Sequence, residues 1–369
     1  MARDNVYFMN LHAESGCSLE DKFRRLLHKA GVADLVGQGE LIGIKVHVGE
    51  RGNLAYINHN YARIAVGEIT RAGGKPYLTD TNTLYGGGRH NAVDHHASAV
   101  MHGYFEATTG APFFAADGLR GLDFEELPVK GRHVTAARIA AGICQADKIV
   151  MLSHFKGHCE MGFGGSIKNM GMGCASVPGK LELHSGTKPV QDHDKCVGCG
   201  QCLMNCPEHA ITMRENKAII DYSMCIGCGQ CVAACNYGAM QVQWAEHGER
   251  LIEKVAEYAA ALHGQFAGKA LYVNFALAIS PDCDCWDYND TPLVPDIGIL
   301  ASRSPAALDR ATMDLVKKAH LRSKGAVSGP DDGAANPFDA IRPGQRNEYL
   351  FEYCRTLGMN DEYELVEVG

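Results

Sequence analysis

The residues of this chain most able to do chemistry are eight cysteines in two matching runs, CVGCGQCLMNCP at 196–207 and CIGCGQCVAACN at 225–236. Each cysteine of the first run recurs 29 positions later: Cys196 as Cys225, Cys199 as Cys228, Cys202 as Cys231, Cys206 as Cys235. Gly198, Gly200 and Gln201 recur at the same offset, which marks one structural unit used twice. Three thiolates spaced two residues apart can curl around one cubane cluster, and the fourth cysteine of the run lies too far along and reaches the other cluster. The spacing therefore predicts two 4Fe–4S clusters. One is held by Cys196, Cys199, Cys202 and Cys235, the other by Cys225, Cys228, Cys231 and Cys206. Zinc is the rival ion, since Cys-x-x-Cys pairs also bind it, but four ligands complete a zinc site and leave the third thiolate and the crossed fourth unexplained. Between the runs, AITMRENKAIIDY (210–222) reads as a hairpin turning near Glu215 and Asn216.

A second set of reactive residues lies where apolar runs end. LIGIKVHV (41–48) brings Lys45 and His47, followed by Glu50; KPYLTD (75–80) leads into Asp80 and Asn82. KIVMLS (148–153) runs into His154, Lys156 and His158, and ALYVNFALAI (270–279) into Asp282, Cys283, Asp284 and Cys285. In a doubly wound sheet, ligands bind beyond the carboxyl ends of the strands, so parallel neighbours would gather these side chains into one pocket. There Lys156 or Lys168 would hold an anionic group, His158 or His47 would move a proton, and Asp80 would complete the candidate catalytic set.

The glycine-rich stretch 161–186 lacks the Walker A spacing. It fits either an anion-binding backbone nest served by Lys168 and Asn169 or a tight linker packed against a cluster. Cys159, Cys174, Cys283 and Cys285 are candidates for a further metal ion, with His158 or His184; a small-molecule ligand is the other candidate for the pocket. Cys17, Cys144 and Cys354 read as small buried hydrophobes. His95, His96, Trp244 and Trp286 read as packing residues.

These elements point to an α/β fold, a parallel or mixed sheet flanked by helices. Helices are expected over 60–72, 134–146, 249–264 and 305–319, with strands between them. A loop is expected over 325–345, then a closing helix and a last strand, YELVEV, at 363–368. The cysteine-rich residues 188–244 break the pattern and read as a two-cluster ferredoxin-like module inserted between residues 1–187 and 245–369. Fifteen cysteines, no apolar run long enough to span a bilayer and no secretory leader at the start predict a cytoplasmic, thiol-reducing setting in which clustered cysteines bind metal. A net charge of −8 argues against nucleic acid as a partner. No nicotinamide fingerprint or flavin site is visible.

KVHVGE, TDTNTLYGGGRHNAVDH, SHFKGHCEMGFGGSIKNMGMGCAS, GKLELH and the later CDCW and PDIGILASRSPAALDRA resemble, over about residues 40–320, the ferredoxin-fused members of the domain-of-unknown-function family 362; the cysteine repeat resembles bacterial two-cluster ferredoxins. The resemblance implies iron–sulfur binding without giving a reaction. It places Asp80, Lys156, His158, Lys168, Asn169, His184, Cys283 and Cys285 in the family's motifs. Three functions fit: a ferredoxin-type oxidoreductase passing electrons between the clusters and a substrate in the strand-end pocket, a non-enzymatic carrier docking to a redox partner protein, or a metal-handling or redox-sensing protein.

Overall fold

The computed structural model describes residues 3–184, 188–225, 227–243, 248–321, 336–342 and 344–369. Eight strands form one sheet: β1 (Asp4–Met9), β2 (Leu41–Val46), β3 (Lys75–Asp80), β4 (Phe113–Ala115), β5 (Lys148–His154), β6 (Ala270–Ala276), β7 (Gly298–Ser302) and β8 (Tyr363–Glu367), in the order β8-β1-β7-β6-β5-β2-β3-β4. From β6 to β4 all neighbours are parallel. β7 runs antiparallel to both β6 and β1, and β8 parallel to β1, so the sheet is mixed. Strands from before the cysteine runs (β2, β5) and after them (β6) are hydrogen-bonded neighbours.

Both faces are covered. In β5, Val150 and Leu152 pack with α1 (Leu19–Lys29) and α2 (His59–Arg71) on one side. Ile149 and Met151 pack on the other with α6 (Gly248–Gln265) and α7 (Pro305–Lys318). Burial on both faces explains why the strand reads as a continuous apolar run rather than an alternation. Each such side chain contributes roughly 1.5–3 kcal/mol by leaving water. Ser18 and Asp21 close a capping box at α1, and Asn58 caps α2 through the Asn60 amide. Between these helices and α6 lie α3 (Ala92–Met101), α4 (Ser166–Gly171) and α5 (Val177–His184); α8 (Tyr349–Thr356) precedes β8. No helix among the described residues is long and apolar enough to cross a membrane.

The expected helix over 134–146 is not formed. Residues Ala136–Ala140 are instead a strand paired antiparallel with Phe124–Pro128, followed by a single turn, Ala141–Cys144. The alternation of buried Ala137 and Ile139 with less buried Ala136 and Arg138 decided it: a two-residue period outweighed the helix propensity of alanine and arginine. The loop expected over 325–345 lies largely outside the described residues, and its described part contains a short helix, Pro337–Ile341.

The cysteine-rich segment carries two small ladders. Ile211–Arg214 pairs with Lys217–Ile220, joined at Glu215 and Asn216 with φ of 50° and 60°, the two positive angles of a tight hairpin turn. Val190–Gln191 pairs with Met240–Gln241. Each cysteine run places one short helix, Gln201–Met204 or Gln230–Ala234, behind two left-handed glycines: Gly198 and Gly200 (73° and 71°) in the first, Gly227 and Gly229 (73° and 75°) in the second. The sequence repeat is thus a backbone repeat.

Candidate functional site

The carboxyl ends of β2, β3 and β5 open into a cavity of about 820 Å³. β2 has β3 and β4 on one side and β5 and β6 on the other, so the cavity lies where the strand order reverses, the usual crevice of such sheets. His47, Asp80, Lys156, His158 and Lys168 all line it, as do His154, Asn169, His184 and Cys285. These strand-end residues therefore share one space, while Lys45, Asn82, Asp282, Cys283 and Asp284 do not line it.

Three charge pairs organise its floor. Lys45, fully buried, places Nζ 2.9 Å from Asp80 Oδ1 and donates to Asn169 Oδ1 at 2.8 Å. Burial alone would raise the Asp80 carboxyl, but Lys45, then His95 and His47, hold it well below the usual carboxylate range. Lys156 Nζ lies 3.1 Å from Asp284 Oδ2, and His154 Nδ1 2.9 Å from Asp284 Oδ1; this pair outweighs burial and likewise keeps Asp284 ionised. Arg89 bonds Glu50 Oε2 through Nε at 3.1 Å and the Tyr85 hydroxyl through Nη2 at 2.7 Å, and that hydroxyl donates to the Cys285 carbonyl at 3.1 Å. Unpaired, such charges would cost several kcal/mol each; paired, they fix the geometry of the floor.

The two candidate proton carriers are both held neutral. Burial, then Lys168, pushes His158 well below the usual imidazole range. Its Nδ1 accepts from the Glu160 and Met161 amides at 3.2 and 3.1 Å, which leaves the proton on Nε2. Burial and Arg89 depress His47, whose Nδ1 faces the Gly49 amide (3.0 Å) and whose Nε2 faces Arg89 Nη1 (3.1 Å). The backbone beside Lys156 is set by Gly157, where a Cβ would lie 2.0 Å from the Pro281 carbonyl oxygen, so only glycine lets the KGH strand pack there.

Of the four cysteines considered for a further ion, two meet. Cys283 is buried and accepts from Lys168 Nζ at 3.5 Å; the neighbouring Cys285 thiol, then Lys168 and Lys156, hold Cys283 well below the usual thiol range, and Cys283 in turn pushes Cys285 up. Cys174 is elsewhere, bonded to the Asn169 carbonyl, with burial raising its thiol to about 12. Cys159 is exposed at the rim. Among the described residues no three His, Cys, Asp or Glu side chains converge on a single-ion site. Cys144 and Cys354 are buried, and Cys17 is half-buried.

Arg89, Lys180, Tyr85, Trp286 and Asp117 escaped the sequence reading. Lys180, buried in α5, donates to the Thr81 hydroxyl and the Asn82 carbonyl; burial pulls its ammonium down and pushes the neighbouring Asp117 carboxyl up. Trp286, expected from sequence to be a packing residue, instead lines the cavity with 45% of its surface exposed. His95 is fully buried, in keeping with packing, but packs behind Asp80 with Nε2 3.5 Å from Oδ2. Trp244 lies outside the described residues. Neither the arginine of GGGRH nor the lysine of VPGKLELH carries a sequence signal that marks it as buried.

Cys206, Cys225, Cys228 and Cys231 line one small cavity, although Cys206 comes from the other run. Cys202 has Cys196 and Cys235 within electrostatic reach. Backbone amides donate to three sulfurs: Ala210 to Cys206 (3.3 Å), Ala218 to Cys196 (3.5 Å) and Ala239 to Cys235 (3.2 Å). Amide donors to sulfur and left-handed glycines around it are what an iron–sulfur cluster requires of its backbone. A cubane binds each cysteine through a different iron, so its sulfurs stand farther apart than the roughly 3.8 Å of a tetrahedral zinc site. Cys206, Cys225, Cys228 and Cys231 fit the group; of the other quartet, Cys196, Cys202 and Cys235 lie near one another and Cys199 is exposed.

The segment packs on α5. Leu181, with Val177 and Leu84, joins Cys202, Cys231, Cys235, Ile211 and Ile220 in one apolar cluster, and a Cβ on Gly229 would come 2.5 Å from Leu181 Cδ2. Lys180 and His184 of the same helix line the large cavity.

A family model described as "Domain of unknown function (DUF362)" matches residues 42–314. No curated protein matches the chain. Among solved structures, the lactate racemase apoprotein from Thermoanaerobacterium thermosaccharolyticum aligns at 12% identity and a TM-score of 0.40, covering 74% of this chain and 51% of that one. A protein from Thermotoga maritima aligns at 11% and 0.34, covering 72% and 52%. The chain thus spans about half the length of the solved structures it matches.

Proposed function

The chain belongs to the DUF362 family, and from that premise we propose that it is an iron–sulfur redox protein whose ferredoxin-like segment exchanges electrons with a ligand in the strand-end cavity. Cys196, Cys199, Cys202 and Cys235 would hold one 4Fe–4S cluster, and Cys225, Cys228, Cys231 and Cys206 the other. When bound, such clusters supply one-electron exchange at potentials set by amide–sulfur hydrogen bonds and exposure. The observation that carries the reading is the double duty of α5, with Leu181 against Gly229 and the cysteine cluster and Lys180 and His184 on the cavity. A single helix, about 10 Å across, separates the two.

The cavity residues divide the remaining work. Lys168 presents an ammonium beside Cys283 and can hold an anionic group of the ligand, while Lys156 is committed to Asp284. His158, neutral with its proton on Nε2, is a hydrogen-bond donor that can orient the ligand. Lys180, whose ammonium is weakened by burial, can give up a proton more readily than a surface lysine. The ligand is small enough for 820 Å³, and the electrons are supplied by a redox partner protein. The setting proposed is the cytoplasm, where thiols stay reduced.

Anaerobic purification followed by iron and acid-labile sulfide analysis tests the reading. About eight of each per chain are expected for two cubane clusters. Stoichiometric zinc with little sulfide would contradict it.

A further inference from the structure

Cys283 and Cys285 flank a single residue in a turn closed by the Trp286 amide donating to the Cys283 carbonyl at 3.2 Å. The turn is held from outside at several points. The Tyr85 hydroxyl donates to the Cys285 carbonyl, Asn53 Nδ2 donates to the Tyr288 carbonyl at 2.7 Å, and a Cβ on Gly52 would sit 2.3 Å from the Asp287 carbonyl oxygen. Inside it Cys285 lies on the cavity and Cys283 is buried behind it, each being the strongest influence on the other's thiol, with Lys168 Nζ 3.5 Å from the Cys283 sulfur. Residues two apart are separated by at most about 7 Å, and a disulfide spans about 4.4–6.8 Å between Cα atoms. A separation of two residues therefore does not by itself keep the pair apart.

We propose that Cys283 and Cys285 are a redox-active dithiol of the cavity, closing to a disulfide and reopening. The inference rests on the iron–sulfur reading only for the origin of its electrons. On closing, the Cys285 S–H bond breaks, its sulfur bonds to the Cys283 thiolate, and two electrons and one proton pass to a two-electron-accepting ligand in the cavity. On reopening, the S–S bond takes two electrons from a low-potential one-electron donor, the class of reagent that the ferredoxin-like segment implies, and one proton is taken up at Cys285, while Cys283 stays a thiolate beside Lys168. Cys285 is the sulfur that meets a ligand or oxidant, and Cys283 is the buried partner that resolves the bond. A dithiol converts single-electron delivery into two-electron chemistry, which a carrier alone cannot do.

The test uses the whole protein, kept anaerobic. It is treated with diamide, freed of it, split into samples with and without dithionite-reduced methyl viologen, then alkylated with N-ethylmaleimide and digested with trypsin; both cysteines fall in the peptide 270–303. Without viologen the peptide is expected to carry no maleimide and to be lighter by two hydrogens; with it, two maleimides. Reductive titration of the oxidised protein should take about four electrons per chain, against about two for the Cys283→Ser/Cys285→Ser variant, because a disulfide is a two-electron couple. A wild-type peptide that takes two maleimides after diamide overturns the proposal, as does zinc that is present in the wild type and lost from the variant. If iron and sulfide are absent but the disulfide forms and opens, the dithiol stands and the cluster reading falls. If the clusters reduce while the disulfide opens only with added phosphine, the dithiol is no partner of the segment and the proposal fails.

Discussion

The cysteine-rich segment and the strand-end cavity reach order by opposite means. In the segment, chemistry is written in consecutive residues: two runs, each with its glycines at φ near 70° and a one-turn helix, place the sulfurs almost independently of the rest of the chain. In the cavity, residues more than a hundred positions apart meet because four parallel strands end together, and charge pairs such as Lys45–Asp80 and Lys156–Asp284 hold them. The first is a local code, the second a product of topology. A perturbation of one should therefore leave the other largely intact except at α5, where they touch.

The largest effect expected is on metal content. Cys206→Ala lies in the first run but should cost the cluster of the second, lowering iron from about eight to about four per chain. Spectroscopy that shows the first-run cluster lost instead breaks the crossed assignment, while near-UV circular dichroism from the main sheet should stay unchanged.

Next is the cavity floor. Asp80→Ala strands Lys45 in the core and should destabilise the protein by about 3–5 kcal/mol in denaturant unfolding. The sign with pH follows from the lowered Asp80 carboxyl. Its stabilisation is present above the free value of 3.8 and is lost as pH falls through that value toward the folded one. The variant should therefore show a shallower acid limb below about pH 4. An unchanged limb means that Asp80 is not held by Lys45.

The smallest effect sharpens the contact between the regions. Gly229→Ala should cost about 1–2 kcal/mol from its left-handed backbone alone, plus the clash with Leu181. Adding Leu181→Ala should relieve the clash but not the backbone cost. If the double variant is no better than the single, the segment does not seat on α5 as described.

The same contrast explains what the sequence disclosed. The hairpin at Glu215–Asn216, the repeated backbone of the two cysteine runs and the strands at 75–80 and 148–154 were legible because spacing and period encode them locally. The convergence of His47, Asp80, Lys156, His158 and Lys168 needed only the assumption of parallel neighbours. Arg89 and Lys180 were not legible. A lone cation in a glycine loop or an apolar helix looks like surface until the fold buries it against Glu50 or Thr81. The strand at Ala136–Ala140 was misread as helix because alanine and arginine favour a conformation that the Phe124–Pro128 partner overrides.

The central claim is that the cysteine segment and the cavity share α5. The most direct test is an EPR-monitored redox titration of wild type and Lys180→Met. Two one-electron centres are expected, with the midpoint of one moved by loss of the α5 charge and the other unmoved. No iron–sulfur signal, or two midpoints both indifferent to Lys180, would contradict the account.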